Sequence, residues 1–192
     1  MHKKAREIME FWFGDTTGFR SEWFQKNSAF DEKIREKFGE DLERAIAGEY
    51  DDWAETAQGR MALIILLDQF SRNLFRGSPK SFAQDKKALN LTLEGLKLGH
   101  DREISPVQRT FFYLPLEHSE DLEMQDLAME KFTELLEEQG EEDEVAKTSL
   151  EYARRHHLII ERFGRFPHRN EVLGRKSTPE ELHFLTQPNS SF

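Results

Sequence analysis

Ionisable side chains fall on the apolar faces of predicted helices, where a helical wheel expects core residues. On helix 57–76, Asp68, Arg72 and Arg76 follow one another at intervals of four residues and share one face. Apolar residues cover most of the remaining surface, which is typical of a helix that is buried all round. A buried carboxylate needs a partner, and an Arg can donate two parallel hydrogen bonds to it. The pattern predicts either a structural ion pair or a ligand site, with Asn73 next to Arg72.

A second group of polar residues opens the predicted helix 116–138, which starts after a proline. Projection of its apolar stripe by one turn puts His118 and Gln125 on the stripe, with Glu117 and Asp121 on its edge. The alternative is ordinary acidity in the first turn, where acids complement the helix dipole. An imidazole titrates close to neutrality, so His118 is the candidate general acid or base, tuned by Glu117 or Asp121.

The third group lies at the end of the predicted helix 142–164. His156 falls at the centre of the apolar stripe, where a lone His is more often a core residue than a ligand. Pro167 forbids smooth continuation of the helix, so the residues around it are expected to form a loop. Loops fixed on a rigid scaffold are where binding groups collect. The candidate ligand-binding residues of this loop are Arg165, His168, Arg169 and Asn170.

Charge is segregated along the chain, whose formal net charge is -10. Residues 117–144 carry thirteen acids and one Lys, whereas residues 154–176 carry six Arg and one Lys against two Glu. Attraction between neighbouring helices is one explanation. It leaves the preference for Arg and the interleaved Phe residues unexplained, and a preformed anion pocket accounts for both, because Arg binds carboxylate or phosphate through two prongs and stacks on rings. Glu120 and Glu123 are expected only to complement the helix dipole at the surface.

The elements that position these residues are all expected to be helices. Ser-Pro or Thr-Pro pairs at 78–79, 105–106 and 178–179 are typical of helix starts, and glycines at 48, 99 and 140 are typical of helix ends. Val occurs three times and period-two alternation is nearly absent. Short connections favour antiparallel helix pairs. We predict an all-α fold with helices at 3–13, 28–47, 57–76, 79–98, 106–114, 116–138, 142–164 and 178–186.

Length and composition bound the class of protein. The 192 residues suit one domain, which we place at 1–186, followed by a loose tail at 187–192. The absence of Cys excludes disulfides and a cysteine nucleophile, and the negative balance argues against a nucleic-acid partner. The longest apolar run, Met61 to Leu67, falls well short of the roughly 20 residues of a membrane span. We therefore expect a cytoplasmic protein with no membrane partner.

Five blocks of sequence carry a family resemblance. They are IMEFWFG (8–14), WFQKNSAFDEKIREKFG (23–39), LIILLDQFSRNLFRG (63–77), FFYLPLEHSEDLEMQ (111–125) and RFGRFPHRNEVLGR (162–175). With these blocks the chain resembles the bacterial domain of unknown function 924 family from residue 8 to Leu185. The resemblance implies an all-helical fold similar to tetratricopeptide-like superhelices in a cytoplasmic protein, and it implies no catalytic assignment.

The favoured functional hypothesis is a pocket for a small anionic ligand. Hydrolysis with activated water is the simplest chemistry for it, since the sequence has neither a GxSxG nucleophile motif nor a Gly-rich phosphate loop. In this hypothesis Arg72, Arg76, Arg165 and Arg169 bind carboxylate or phosphate, and Asn73 and Gln125 orient it. If the pocket performs chemistry, His118 is the general base or acid.

Two other hypotheses stay open. One is a scaffold whose helical groove binds a protein or peptide partner, with the polar core residues fixing only helix register; tetratricopeptide-like architecture favours it by analogy. The other is a metal site. No HExxH or paired ExxH spacing supports the metal site, so neither a metal nor a cofactor is predicted. Its ligands would come from His118, His156 or His168 with Glu117, Asp121 or Asp68.

Overall fold

The computed structural model describes residues 2–191. Over that range the chain forms α-helices joined by short helical turns and loops, with no β-strand, which confirms the all-α prediction. The helices are α1 (Lys3–Trp12), α2 (Ser21–Phe24), α3 (Ser28–Ile46), α4 (Ala57–Ile64), α5 (Ser71–Leu74), α6 (Asp85–Leu98), α7 (Pro106–Glu117), α8 (Leu122–Gln139), α9 (Glu144–Phe163) and α10 (Pro179–Leu185). Successive helices pack on one another, notably α6 on α7, α7 on α8 and α8 on α9.

Aromatic rings from separate segments form the centre of the core. Trp12 of α1 meets Phe111 of α7 edge to face, with ring centroids 5.7 Å apart. The ring of Phe111 also lies 4.7 Å from that of Trp23. Rings of this size bury large apolar areas, and edge-to-face pairs add about 0.5–1.5 kcal/mol beyond burial. This cluster fixes α1 against α7.

The central helix is continuous from α4 to α5 and contains a wide turn. Its middle residues, Ile65–Phe70, form a π-helical turn, and all of them are buried. This agrees with the prediction of a helix that is apolar nearly all round, although α5 ends at Leu74 rather than at residue 76. π-Helical turns are rare and often occur at functional sites. Asp68 lies inside this turn.

The predicted break at Pro115 is wrong. α7 continues through Pro115 to Glu117, and α8 begins at Leu122 rather than at residue 116. A proline inside a helix costs about 3 kcal/mol. The last turn of α7 offsets that cost because Leu116 is fully buried. His118 is therefore the residue that ends α7, not a residue on the stripe of α8.

The predicted helix 79–98 is also too long at its start. Pro79–Ser81 forms a separate 3-10 turn, and α6 begins only at Asp85. The Ser78 side chain caps the short turn by accepting a hydrogen bond from the Lys80 amide. The Ser-Pro pair thus marks a true helical start, but of a different element.

None of the described helices is long and apolar enough to cross a bilayer. The domain bounds 1–186 and the loose tail 187–192 stay predictions, and Met1 and Phe192 lie outside the described residues. Within the tail, the Ser190 hydroxyl donates to the Leu185 carbonyl at 3.2 Å.

Candidate functional site

Asp68 is a fully buried carboxylate that accepts hydrogen bonds from several side chains. Its Oδ2 lies 2.6 Å from Gln69 Nε2, and its Oδ1 lies 3.0 Å from an Arg72 nitrogen and 2.7 Å from His118 Nδ1. Burial alone would raise the pKa of Asp68, but the charges of Arg72 and His118 and these hydrogen bonds hold it well below its usual range. Asp68 is therefore ionised at neutral pH.

The tautomer of His118 follows from that charge. An ionised carboxylate only accepts hydrogen bonds, so Nδ1 of His118 must carry the proton that points to Asp68. Burial lowers the pKa of His118, and the nearby Arg72 lowers it further. The ring is then neutral near pH 7, and its Nε2 keeps a lone pair that can accept a proton.

Arg72 joins two carboxylates. Besides Asp68, it binds both oxygens of Asp85, the first residue of α6, at 2.9 and 3.1 Å. The same guanidinium also donates to the Asp68 carbonyl at 3.0 Å. Two-pronged pairing of this kind is strong and fixed in geometry. Arg72 thus has a structural role in holding Asp68 ionised.

Arg169 is the incompletely paired cation of the site. It is 7% exposed, and its Cζ lies 4.6 Å from the ring centroid of Phe82 and 4.5 Å from that of Phe166. Within residues 2–191 its side chain makes one polar contact, from Nη1 to Asp85 Oδ2 at 3.3 Å, and its buried Nε has no hydrogen-bond partner. Burial, with repulsion from Arg72, lowers the pKa of Arg169 to about 10.

Asp68, Arg72, Asp85 and Arg169 form one line of alternating charges, here called the charge chain. It connects the π-helical turn, the start of α6 and the 3-10 turn Pro167–Arg169. The sequence predicted three of its members. Asp85 was missed, because the predicted helix 79–98 placed it inside a helix rather than at its first residue, where an acid faces the preceding loop.

The predicted ligand residues Arg165 and Asn170 lie in a network that holds the loop after α9. Arg165 binds both oxygens of Glu181 at 2.6 and 2.8 Å, and Asn170 donates to Glu181 at 3.3 Å. On the other side, Glu120 binds Arg175 and accepts a hydrogen bond from the Phe166 amide at 2.8 Å.

Glu120 is thus more than a surface acid of a first turn, contrary to prediction. The cause is the late start of α8, at Leu122 rather than at residue 116, which places Glu120 between helices, within reach of the loop. The two-pronged pairs of this network fix the backbone around Arg169.

The expected partner of His118 is corrected by the structure. Glu117 pairs with His156 instead, with Oε1 2.9 Å from Nδ1, while Asp121 is exposed and caps α8 through the Glu123 amide. His156 Nδ1 also lies 2.9 Å from the Tyr152 carbonyl. The rings of His118 and His156 are 6.1 Å apart, so a second His-carboxylate pair adjoins the first.

Gln125 acts on the backbone next to His118. Its Nε2 lies 2.6 Å from the Glu117 carbonyl and 2.7 Å from the Ser119 carbonyl, the two carbonyls that flank His118. The side chain is fully buried. Its geometry fits positioning of the turn that carries His118, rather than the direct ligand contact predicted for it.

The side chains of Asn73 and Arg76 form their hydrogen bonds outside the charge chain. Both donate to Asp31 in the first turn of α3, Asn73 at 2.7 Å and Arg76 at 2.7 and 3.1 Å. His168, in contrast, lies beside Phe166, with ring centroids 5.7 Å apart. Burial, helped by the charge of Arg169, lowers the pKa of His168 to about 3.

In residues 2–191 no group of three His, Asp or Glu side chains is arranged to hold a metal ion.

Two surface grooves lie away from the charge chain and from His118. The larger groove, of about 770 Å³, lies between α8 and α9 and is lined by Met129, Thr133, Leu136, Glu144, Lys147, Thr148, Leu150, Glu151, Tyr152, Arg154 and Arg155. The smaller, of about 460 Å³, lies between α1 and α3 and is lined by Lys4, Glu7, Glu10, Phe11, Lys37 and Phe38.

Comparison with known proteins supports the architecture. No curated protein matches the chain. A solved structure of a protein of unknown function from Agrobacterium tumefaciens is similar to it, with 39% sequence identity and a TM-score of 0.83, over 95% of this chain and 96% of that chain. The family model described as "Bacterial protein of unknown function (DUF924)" matches residues 8–189. Since this match spans nearly the whole sequence, the chain belongs to the DUF924 family.

Proposed function

We propose that the protein binds a small anionic ligand, a carboxylate or a phosphate, at Arg169. The single observation that carries this proposal is the buried Nε of Arg169, which has no hydrogen-bond partner in the part of the chain that the structure describes. Leaving a charged donor unpaired in the interior costs free energy, and an anion would remove that cost. Of the arginines predicted to bind the ligand, Arg72, Arg76 and Arg165 each make a two-pronged pair with a carboxylate. Arg169 makes one contact with Asp85, at 3.3 Å, so the proposal is centred on Arg169 alone.

Ligand entry requires a side chain to move. Nε of Arg169 is not accessible to solvent, and its guanidinium lies against Phe82 and Phe166. Phe166 is fully buried, whereas Phe82 is partly exposed. Rotation of Phe82 is therefore the route by which an anion reaches Arg169, since side-chain rotamer changes commonly accompany binding.

The His118–Asp68 pair supplies the chemistry of the proposal. Nε2 of neutral His118 takes a proton from a water molecule as the water oxygen attacks the electrophilic carbon or phosphorus of an ester. The proton then passes from His118 to the leaving oxygen, which departs as an alcohol. Asp68 orients the ring and stabilises the imidazolium formed in between, as carboxylates do beside catalytic histidines.

Titration calorimetry with sodium acetate and sodium phosphate tests the binding. We expect both the Arg169→Gln and the Arg169→Lys variants to weaken binding at least tenfold, about 1.4 kcal/mol, because neither retains the two-pronged donor. Arg162→Gln is the matched control, since Arg162 pairs with Glu180 at the surface. Failure of the unmodified protein to bind either anion, or unchanged binding by both Arg169 variants, would overturn the proposal.

A second assay tests the chemistry. The substrates are p-nitrophenyl phosphate and the mono-p-nitrophenyl ester of succinate, which release the same chromophore. We expect His118→Gln to reduce kcat about 100-fold or more with little change in KM, the usual effect of losing a general base. If neither ester is hydrolysed while anions still bind, the hydrolytic step is wrong and the binding function stands.

The alternative function, a scaffold for a protein or peptide partner in a tetratricopeptide-like array, draws support from a different feature. The 770 Å³ groove between α8 and α9 is open and mixes apolar and charged walls. It contains neither Arg169 nor His118, so substitutions at those two residues leave it intact. The scaffold function would be favoured if the protein binds no small anion and if substitution of Leu136 or Tyr152 abolishes binding of a peptide partner.

A further inference from the structure

We propose that the ligand of Arg169 carries a single carboxylate group, and that the site rejects phosphate dianions. This inference rests on the anion-binding function proposed above. It concerns the class of ligand, which charge and the geometry of the guanidinium restrict.

The charge available for a ligand is small. Arg72 is engaged by Asp68 and by both oxygens of Asp85, so its positive charge is already compensated. Arg169 shares one oxygen of Asp85 at 3.3 Å. A ligand at Arg169 therefore meets less than one full positive charge, with the Asp85 carboxylate close by. A second negative charge on the ligand would gain no new cation and would be repelled by Asp85.

Glu120 adds to this discrimination. Its carboxylate acts on Arg169 electrostatically, although it is itself paired with Arg175. Together with the Glu120–Arg175 pair, the charge chain contains three cations and three anions. The cations are Arg72, Arg169 and Arg175, and the anions are Asp68, Asp85 and Glu120. The group is balanced without a ligand, so a monoanion disturbs it less than a dianion does.

The free edge of Arg169 matches a carboxylate in shape. Asp85 contacts Nη1, which leaves the edge formed by Nε and Nη2 unused by that carboxylate. Such an edge presents two parallel N–H groups in one plane and fits the two oxygens of a carboxylate. Phe82 and Phe166 lie against the same guanidinium, which favours a flat ligand group over a tetrahedral one.

The test compares acetate and benzoate with inorganic phosphate at constant ionic strength. At about pH 8 phosphate is largely a dianion, whereas both carboxylates are monoanions. Binding is followed by calorimetry and by the Nε–H NMR signal of Arg169, assigned from the Arg169→Lys variant. We expect at least one carboxylate to bind tenfold or more tightly than phosphate.

The Asp85→Asn variant sharpens the test, because it removes the repelling charge while keeping the side-chain shape. We expect it to narrow the preference for carboxylate over phosphate at least tenfold. If this variant does not fold, the ratio measured on the unmodified protein still decides. Phosphate binding equal to or tighter than both carboxylates would overturn this inference and leave anion binding standing. No response of Arg169 to any of the three anions would overturn the proposed function as well.

Discussion

Nδ1 of His118 lies 2.7 Å from Oδ1 of Asp68, although the two residues are 50 positions apart in the sequence. The contact joins the end of α7 to the π-helical turn of the central helix. Asp68 is fully buried, whereas the His118 side chain is 14% exposed. The carboxylate is thus fully inside and the imidazole is partly accessible to solvent, an order that suits an orienting acid and a base.

Substitution of Asp68 by Asn should destabilise the protein by about 3 kcal/mol, because removing one member of a buried charge pair leaves the other uncompensated. Arg72 would lose one of its two carboxylates. Urea unfolding at neutral pH measures the change. Asp126→Asn is the control, since Asp126 pairs with His157 at the surface with a side chain that is 64% exposed. It should cost less than about 1 kcal/mol. A similar small loss for Asp68→Asn would show that the burial of this pair contributes little.

The tautomer of His118 gives a second prediction. NMR of the imidazole nitrogens at about pH 8, where histidines are neutral, should show the proton of His118 on Nδ1. His157 is an internal control of opposite kind, because its Nε2, at 2.7 Å, is the nitrogen that faces Asp126. On lowering the pH, His118 should become protonated at a lower pH than an ordinary histidine, since burial and Arg72 lower its pKa. A proton on Nε2 of His118 would contradict the assignment of Nε2 as the base.

Gln125→Met should lower the free energy of unfolding by about 1–3 kcal/mol, because Met cannot donate to the Glu117 and Ser119 carbonyls. Met is chosen because its side chain has a similar length. The imidazole signals of His118 should also shift, as expected if Gln125 positions the turn. Gln139→Met, at the exposed end of the same helix, serves as control. Loss of stability with unchanged His118 signals would restrict Gln125 to a structural role.

The sequence predicted the parts of this fold that depend on local signals. The Ser-Pro and Thr-Pro pairs at 105–106 and 178–179 open helices as predicted, and both helices begin with a capping box, in which side chain and backbone lie within one turn of each other. The helical spacing also predicted correctly that Asp68 and Arg72 form a pair. These relations span four residues at most, so a helical wheel contains them.

Relations between distant segments were beyond the sequence. The pairing of Asp85 with Arg72 and Arg169 depends on how α6 meets the loop after α9, and no periodicity records it. The passage of α7 through Pro115 was missed because tertiary burial outweighs a local rule. Because α7 continues to Glu117, the Glu117 carboxylate pairs with His156 and not with the His118 ring.

The low pKa of His168 makes the unfolding free energy of the protein depend on pH under acidic conditions. Burial and the charges of Arg169 and His156 lower the pKa of His168 from 6.5 to about 3. Between these values the unfolded chain takes up a proton at this residue and the folded chain does not. The unfolding free energy must therefore fall as the pH drops from 6.5 toward 3, with a slope from this residue of at most about 1.4 kcal/mol per pH unit.

The His168→Gln variant should show a flatter dependence of unfolding free energy on pH in that window, whatever its absolute stability. The slope is the decisive quantity, because the substitution also changes contacts with Phe166 that act at every pH. His183→Gln, at an exposed position of α10, is the control and should keep the slope of the unmodified protein. Urea unfolding at several pH values between about 4 and 7 measures all three proteins. An unchanged slope in His168→Gln would mean that His168 is protonated in the folded protein, and that Arg169 has a cationic neighbour rather than a neutral one.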